Sequence, residues 1–267
     1  MKVAYCTNAW GAVMAHCGAA NNVNSAYYMA TGEDETAIRS IAEAGYEYIE
    51  MFDGNLLAYE NRMEDLKALL GRNQVSLKGV YSAGNFIYNE ILDEELYKIE
   101  KTAKMARELG ADQLVIGGGA IRYDGIRGDD YKKLGRALDM VADMARDMEM
   151  TASFHPHMGS LVESPDQLDR VMECSQILLC PDCGHVYLGG GDPYAVTKKY
   201  LNRIEYVHLK GVDEQGTFCP IDRGMIDFKP IVELLKSSEK TIQLAVECDC
   251  DSTNPLEDAK AAIEYLK

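Results

Sequence analysis

Positive charge is scarce in this sequence. Its 267 residues carry 27 Lys and Arg against 43 Asp and Glu, a formal net charge of −16 at pH 7. A surface that acidic repels phosphate backbones, which argues against nucleic acid as a partner. A strongly anionic substrate would need a local basic pocket, whereas a neutral substrate or a bound cation would not. Long apolar runs are missing too. No stretch approaches the roughly 20 residues of a membrane span, so no membrane partner is expected. The opening MKVAYCTNAW lacks the apolar h-region of a secretory signal. A cytoplasmic setting is the expectation that follows. The eight cysteines, at positions 6, 17, 174, 180, 183, 219, 248 and 250, are then expected as reduced thiols rather than as a disulfide framework. Linkers and low-complexity segments are absent, which leaves a single domain over residues 1–267.

What the sequence does contain is a recurring unit: a short β-rich apolar run, a polar or Gly-rich loop, then a helical pattern. Eight such runs occur, at 2–7, 46–51, 75–81, 112–118, 150–155, 176–181, 204–209 and 241–247. Between them lie segments such as ETAIRSIAEAG and YKKLGRALDMVADMARDM, whose apolar spacing is near 3.6. Ser164 followed by Pro165 reads as an N-cap and first helical residue. Eight strand–helix alternations in this length predict an α/β fold, a single (β/α)8 barrel. A doubly wound sheet is the rival, but it more often uses five to seven strands, and no GxGxxG follows the first run.

In a barrel of this kind, active sites form at the C-terminal ends of the strands. The predicted first strand leads to Asn8 and Trp10, and the second ends in Glu50 and Asp53. The fifth ends in His155, His157 and Glu163, the sixth in Asp182, Cys183 and His185. The seventh ends in His208 and Lys210, the eighth in Glu247, Cys248, Asp249 and Cys250. Four of the five histidines therefore fall on one stretch of rim, beside carboxylates. That mixture of hard and borderline donors suits one divalent ion, Mn²⁺, Co²⁺ or Mg²⁺, with Zn²⁺ admissible. The stretch CPDCGHVYLGGGDP (180–193) offers a competing reading through its thiols. A zinc site of four thiolates would need Cys180, Cys183, Cys248 and Cys250, yet two clean CxxC knuckles are lacking. A redox CxxC normally opens a helix, and GHVYLGGG is a poor helix start. Asp182 and His185 are therefore favoured over the cysteines. The Gly117–Gly119 and Gly189–Gly191 runs read as loops rather than a phosphate cradle.

The segments HPHMG…VE, DCGHVYLGGGDP, HLKG and VECD resemble the sugar isomerase/epimerase superfamily with the xylose-isomerase-like barrel. They look most like its inosose dehydratase and keto-sugar branch. The resemblance covers most of the chain and is strongest from residue 150 onward. It implies one metal held at the ends of strands five to eight, with Asp182, His208 and Glu247 as ligands. His155 is favoured as the fifth-strand ligand, with His157 and Glu163 as alternatives. It further implies that His185 binds substrate. Glu163, His157 and Lys210 become acid/base candidates, while Asp249, Arg223 and Trp10 become substrate contacts. Trp10 reads equally well as a core plug. The sequence departs from the family pattern at Cys183, where a Thr is usual, and at Gly211, where HLKD has its carboxylate. CPIDRGM (219–225) replaces a more Gly-rich loop and brings Arg223 near the rim.

The implied chemistry is abstraction of a proton α to a carbonyl, with a metal as Lewis acid. The substrate would be a sugar or cyclitol, an inosose or keto-sugar rather than a sugar phosphate. The outcome would be dehydration by β-elimination, or epimerisation or isomerisation. Two alternatives remain beside it. One is a nuclease of the endonuclease IV kind, against which five histidines and the net charge of −16 argue. The other is a non-catalytic sugar-binding or partner barrel. A homo-oligomer is left open.

Overall fold

All eight apolar runs form strands in the computed structural model, which describes residues 2–11, 13–14, 27–250 and 252–267. These are β1 (Val3–Cys6), β2 (Tyr48–Phe52), β3 (Ser76–Gly84) and β4 (Gln113–Gly118). They continue with β5 (Thr151–Phe154), β6 (Leu178–Leu179), β7 (Tyr206–Val212) and β8 (Gln243–Glu247). Neighbours pair in parallel in the order β7-β8-β1-β2-β3-β4-β5-β6. The remaining gap, from β6 to β7, is bridged by the parallel pairs Leu179–Ile204 and Asp182–His208. The sheet therefore closes on itself, as the predicted barrel requires.

Side chains alternate across each strand, and this divides the core in two. Ala4, Cys6, Phe52, Tyr81, Val115, Cys180, Tyr206 and Ala245 fill the inside of the barrel. Tyr5, Ile49, Met51, Leu114, Ile116, Phe154 and Val207 pack outward, under the helices. Those helices are α1 (Asp34–Glu43), α2 (Asp53–Leu57), α3 (Met63–Asn73), α4 (Leu92–Glu108) and α5 (Asp130–Asp147). They continue with α6 (Pro165–Cys174), α7 (Cys183–Leu188), α8 (Pro193–Tyr200), α9 (Lys229–Lys236) and α10 (Pro255–Tyr265). In α5, Leu134, Leu138, Val141 and Ala145 bury one stripe against the sheet, as their spacing predicts. Helix α6 opens with a full capping box: Ser164 accepts from the Gln167 amide, Gln167 reaches back, and Pro165 takes the first position.

Two short ribbons decorate the ends of this architecture. Val13–Met14 pairs with Met29–Ala30, and Phe218–Cys219 adds antiparallel to the end of β7. His16 and Cys17 lie outside the described residues. The Gly117–Gly119 run is the exit of β4, and a Cβ at Gly117 would collide with the Tyr81 hydroxyl. Glycine there lets Tyr81 lie across the barrel interior. Among the described residues, no helix is long and apolar enough to cross a membrane.

Candidate metal centre

His155 follows β5 directly, and its amide continues the ladder to Ile116 O at 2.8 Å. Asp182 follows β6 and is bridged to His208 of β7. Glu247 closes β8, paired with Lys210. Each lies where a strand delivers its inward side chain to the rim. His155, Asp182, His208 and Glu247 are all buried, and one ligand atom from each lies within 4.8 Å of the others. The structure thus brings together the four residues named as ligands from the sequence.

The four satisfy one another only in part. His208 Nδ1 meets Glu247 Oε2 at 2.8 Å. His155 Nε2 stands 3.5 Å from Asp182 Oδ2, and neither ring nitrogen of His155 nor Asp182 Oδ2 has a hydrogen-bond partner. Buried polar atoms without partners are costly, and convergent orphans are what a bound ion would relieve. Two imidazoles and two carboxylates also match the donor set of Mn²⁺, Co²⁺ or Zn²⁺. The residues present fit a divalent ion.

Lys210, two residues beyond His208 on the same face of β7, enters the cluster fully buried. Its ammonium donates to Asp249 at 2.7 Å and to His185 Nε2 at 3.0 Å, and pairs with Glu247 at 3.2 Å and Asp182 at 3.5 Å. Burial disfavours its charge, but Asp182, Asp249 and Glu247 outweigh burial and push its pKa well up. Burial likewise works against the charge on Asp182 and Glu247, and Lys210 overcomes it, so both carboxyls are held low. His208 is pushed up to about 10: burial opposes the proton, but Glu50 and Glu247 on either side hold it. His185 is pushed down by burial and by Lys210, and its two ring nitrogens face the Lys210 ammonium and the Met158 amide. His157 is lowered by burial and Lys210 as well. Its ring lies 3.7 Å from that of His185, centroid to centroid, and its Nδ1 donates to Met158 O at 2.7 Å.

Asn8 ties the first strand to this group, donating to Glu247 at 3.3 Å and to Asp249. Glu50 also belongs to it, since its carboxylate meets His208 Nε2 at 3.1 and 3.2 Å. From sequence, Glu50 stands at a strand end without a role. Its signal was parity: Tyr48 and Phe52 point into the barrel, so the residue between them does too.

Three of the expected site residues lie elsewhere. Glu163 accepts from the Gly159 amide at 2.9 Å, folded onto its own loop, which leaves His155 as the fifth-strand member of the cluster. Arg223 is 57% exposed and pairs with Asp258 of α10 and Asp222. Trp10 is half-buried against Tyr5, ring centroids 5.6 Å apart, on the helix side of β1, so it plugs core.

The thiol reading fails on placement. Cys180 points inside the barrel, while Cys183 points outward under the helices. Cys248 and Cys250 form a disulfide with each other, against the expectation of reduced thiols throughout. The stretch GHVYLGGG also corrects the expectation of a poor helix start. Helix α7 begins at Cys183 because Asp182 caps it, its Oδ1 accepting from the His185 amide at 2.7 Å. A Cβ at Gly184 would stand 2.9 Å from Lys210 O, so glycine lets this turn lie against β7.

A family model described as xylose isomerase-like TIM barrel matches residues 38–267. An inosose dehydratase of Clostridium tetani (strain Massachusetts / E88) is 32% identical over 162 residues, covering 52% of this chain and 54% of that protein. At that level of identity the chain spans about half the length of its curated relatives. An inosose dehydratase of Clostridium perfringens (strain 13 / Type A) is 26% identical over 268 residues, covering 87% of this chain and 89% of its own. Among solved structures, an L-ribulose 3-epimerase superposes with a TM-score of 0.76 over 99% of this chain and 93% of that one. Its identity is 17%, so this likeness concerns the fold alone.

Proposed function

Because the chain belongs to the xylose isomerase-like TIM-barrel family, we propose that it is a divalent-metal-dependent carbohydrate enzyme that dehydrates an inosose or related keto-sugar. The observation that carries this reading is the buried His155, Asp182, His208 and Glu247 group with its unpartnered nitrogens and oxygen. The inosose dehydratases among its relatives support the substrate class. His155, Asp182, His208 and Glu247 would hold the ion. When bound, the metal supplies a Lewis acid for the substrate carbonyl and its neighbouring hydroxyl.

The chain's own residues supply a base and an acid. A carbonyl only accepts, so His157 carries its proton on Nδ1 toward Met158 O, and its Nε2 keeps the lone pair. With its pKa lowered, His157 is neutral and can take the proton α to the carbonyl. Lys210, held charged, gives a proton rather than taking one. As the C–H bond breaks toward His157, its electron pair forms a C=C bond and the β C–O bond breaks. The departing hydroxyl takes a proton from Lys210 and leaves as water. One neutral base beside one cationic acid suits elimination, in which the acid protonates the departing hydroxyl; in epimerisation the same acid would have to deliver its proton to the α-carbon from the opposite face. His185 and Asp249 steer the Lys210 ammonium. Glu163 and Arg223 take no part, being tied to a loop and to α10. With Arg223 on the surface, the site suits an uncharged polyol ketone.

The test is metal content first, then turnover. Wild type dialysed against Mn²⁺ should retain about one ion per chain, and Glu247→Ala should retain none. The loaded enzyme should convert inosose with loss of water, followed by proton NMR in D2O. A wild type without metal would sink the proposal. So would a loaded enzyme that neither dehydrates inosose nor exchanges the α-hydrogen of any ketose offered.

A further inference from the structure

Glu50 lies inside the barrel, 2% exposed, on the far side of His208 from Glu247. Its carboxylate oxygens meet His208 Nε2 at 3.1 and 3.2 Å, while His208 Nδ1 faces Glu247 at 2.8 Å. The two ring nitrogens therefore look in opposite directions, one toward the cluster and one toward Glu50. Two further features serve this placement. The register between β2 and β3 shifts here: Ile49 pairs with Leu77 but Glu50 with Gly79, so the extra residue, Lys78, lies in β3 and sets Gly79 against Glu50. Opposite it, β3 carries Gly79, where a Cβ would stand 3.0 Å from Glu50 Oε2 and 3.4 Å from the Tyr206 hydroxyl. The neighbouring strand has thus been cleared for this carboxylate.

We infer that Glu50 is the positioning residue of the metal centre: it accepts the proton of His208 Nε2 and so turns the Nδ1 lone pair toward the ion. A carboxylate behind a ligating imidazole fixes both tautomer and ring orientation, and raises the basicity of the ligand. The inference rests on the metal-dependent reading above. A competing geometry exists, since Cys6, Glu50 and His208 also converge, with Cys6 Sγ 3.7 Å from Glu50. In that geometry Glu50 would itself be a ligand.

The experiment titrates Zn²⁺ into full-length protein labelled with ¹⁵N-histidine, for wild type, Glu50→Ala, Glu50→Gln and Cys6→Ser. Circular dichroism melts without metal check that each variant folds. Two-bond ¹⁵N–¹H spectra of the five histidines then read which nitrogen of His208 holds the proton and which the metal. The inference expects one equivalent of Zn²⁺, with His208 protonated on Nε2 and metal-bound through Nδ1. It also expects affinity to fall about tenfold or more in Glu50→Ala. Glu50→Gln, whose side-chain oxygen still accepts the Nε2 proton, should recover both the tautomer and most of the affinity. Binding through Nε2, or unchanged affinity in folded Glu50→Ala, overturns the inference and leaves the proposed function standing. A second equivalent that disappears in Cys6→Ser also overturns it, by making Glu50 a ligand. No binding by wild type removes the metal-dependent reading and the inference together.

Discussion

His208 stands between two carboxylates, Glu50 on Nε2 and Glu247 on Nδ1, and this decides how the site answers to pH. Its pKa, about 10 in the metal-free fold, lies above the ordinary histidine value of roughly 6.5. A raised pKa means that the charged ring favours the folded state. That contribution is complete below about pH 6.5 and is lost as pH rises through about 10. A metal needs the Nδ1 lone pair, so binding must expel the proton. Apparent affinity for Mn²⁺ should therefore rise by up to about tenfold per pH unit between about pH 7 and 9. Calorimetric titrations at about pH 8 in two buffers of different ionisation enthalpy should register about one proton released per ion. Equal heats in both buffers would mean that His208 is already neutral. At this scale the four clustered residues were legible in the sequence, because each lies at the end of an apolar run and the family resemblance singles them out. Glu50 was not assigned, because a Glu among Tyr, Ile and Met declares itself only once the strand's parity is known. The Cys248–Cys250 pairing was not legible either, since spacing alone does not fix loop geometry.

At the scale of the element, α7 shows how one side chain can serve both fold and site. Asp182 Oδ1 caps the helix while Oδ2 points into the cluster without a hydrogen bond. Asn at this position keeps a capping oxygen but loses the charge, whereas Ala loses both. Without metal, Asp182→Ala should therefore be less stable than Asp182→Asn by about 1 kcal/mol in urea unfolding. Both variants should lose the ion. Equal midpoints for the two would remove the cap from the account. The helix itself escaped the sequence reading because its glycines have poor propensity. Tertiary fit overrides that: Gly184 is the surface by which α7 approaches β7. Helix α6 was legible because its signals, Ser164, Pro165 and Gln167, are local.

At the scale of the whole molecule, the barrel is joined most thinly where the candidate ligands meet. Strand β6 has two residues, and its junction with β7 consists of isolated bridges, one of them Asp182 to His208. The alternation of eight runs predicted the barrel, but not this junction, whose register follows from ring closure rather than from any local pattern. A short, weakly paired junction should open ahead of global unfolding. An ion held by His155, Asp182, His208 and Glu247 would tie β5, β6, β7 and β8 together across it. At about 100 times its dissociation constant, such an ion would stabilise the folded chain by about 2.7 kcal/mol. Hydrogen exchange should show where that stabilisation acts. In metal-free protein the amide of His208, bonded to Pro181 O at 3.1 Å, should exchange faster than amides of the long β3–β4 ladder. Mn²⁺ should slow the first group far more than the second. If protection instead rises equally in both, the junction opens only when the whole barrel does. The ion then stabilises the fold without acting as its clasp.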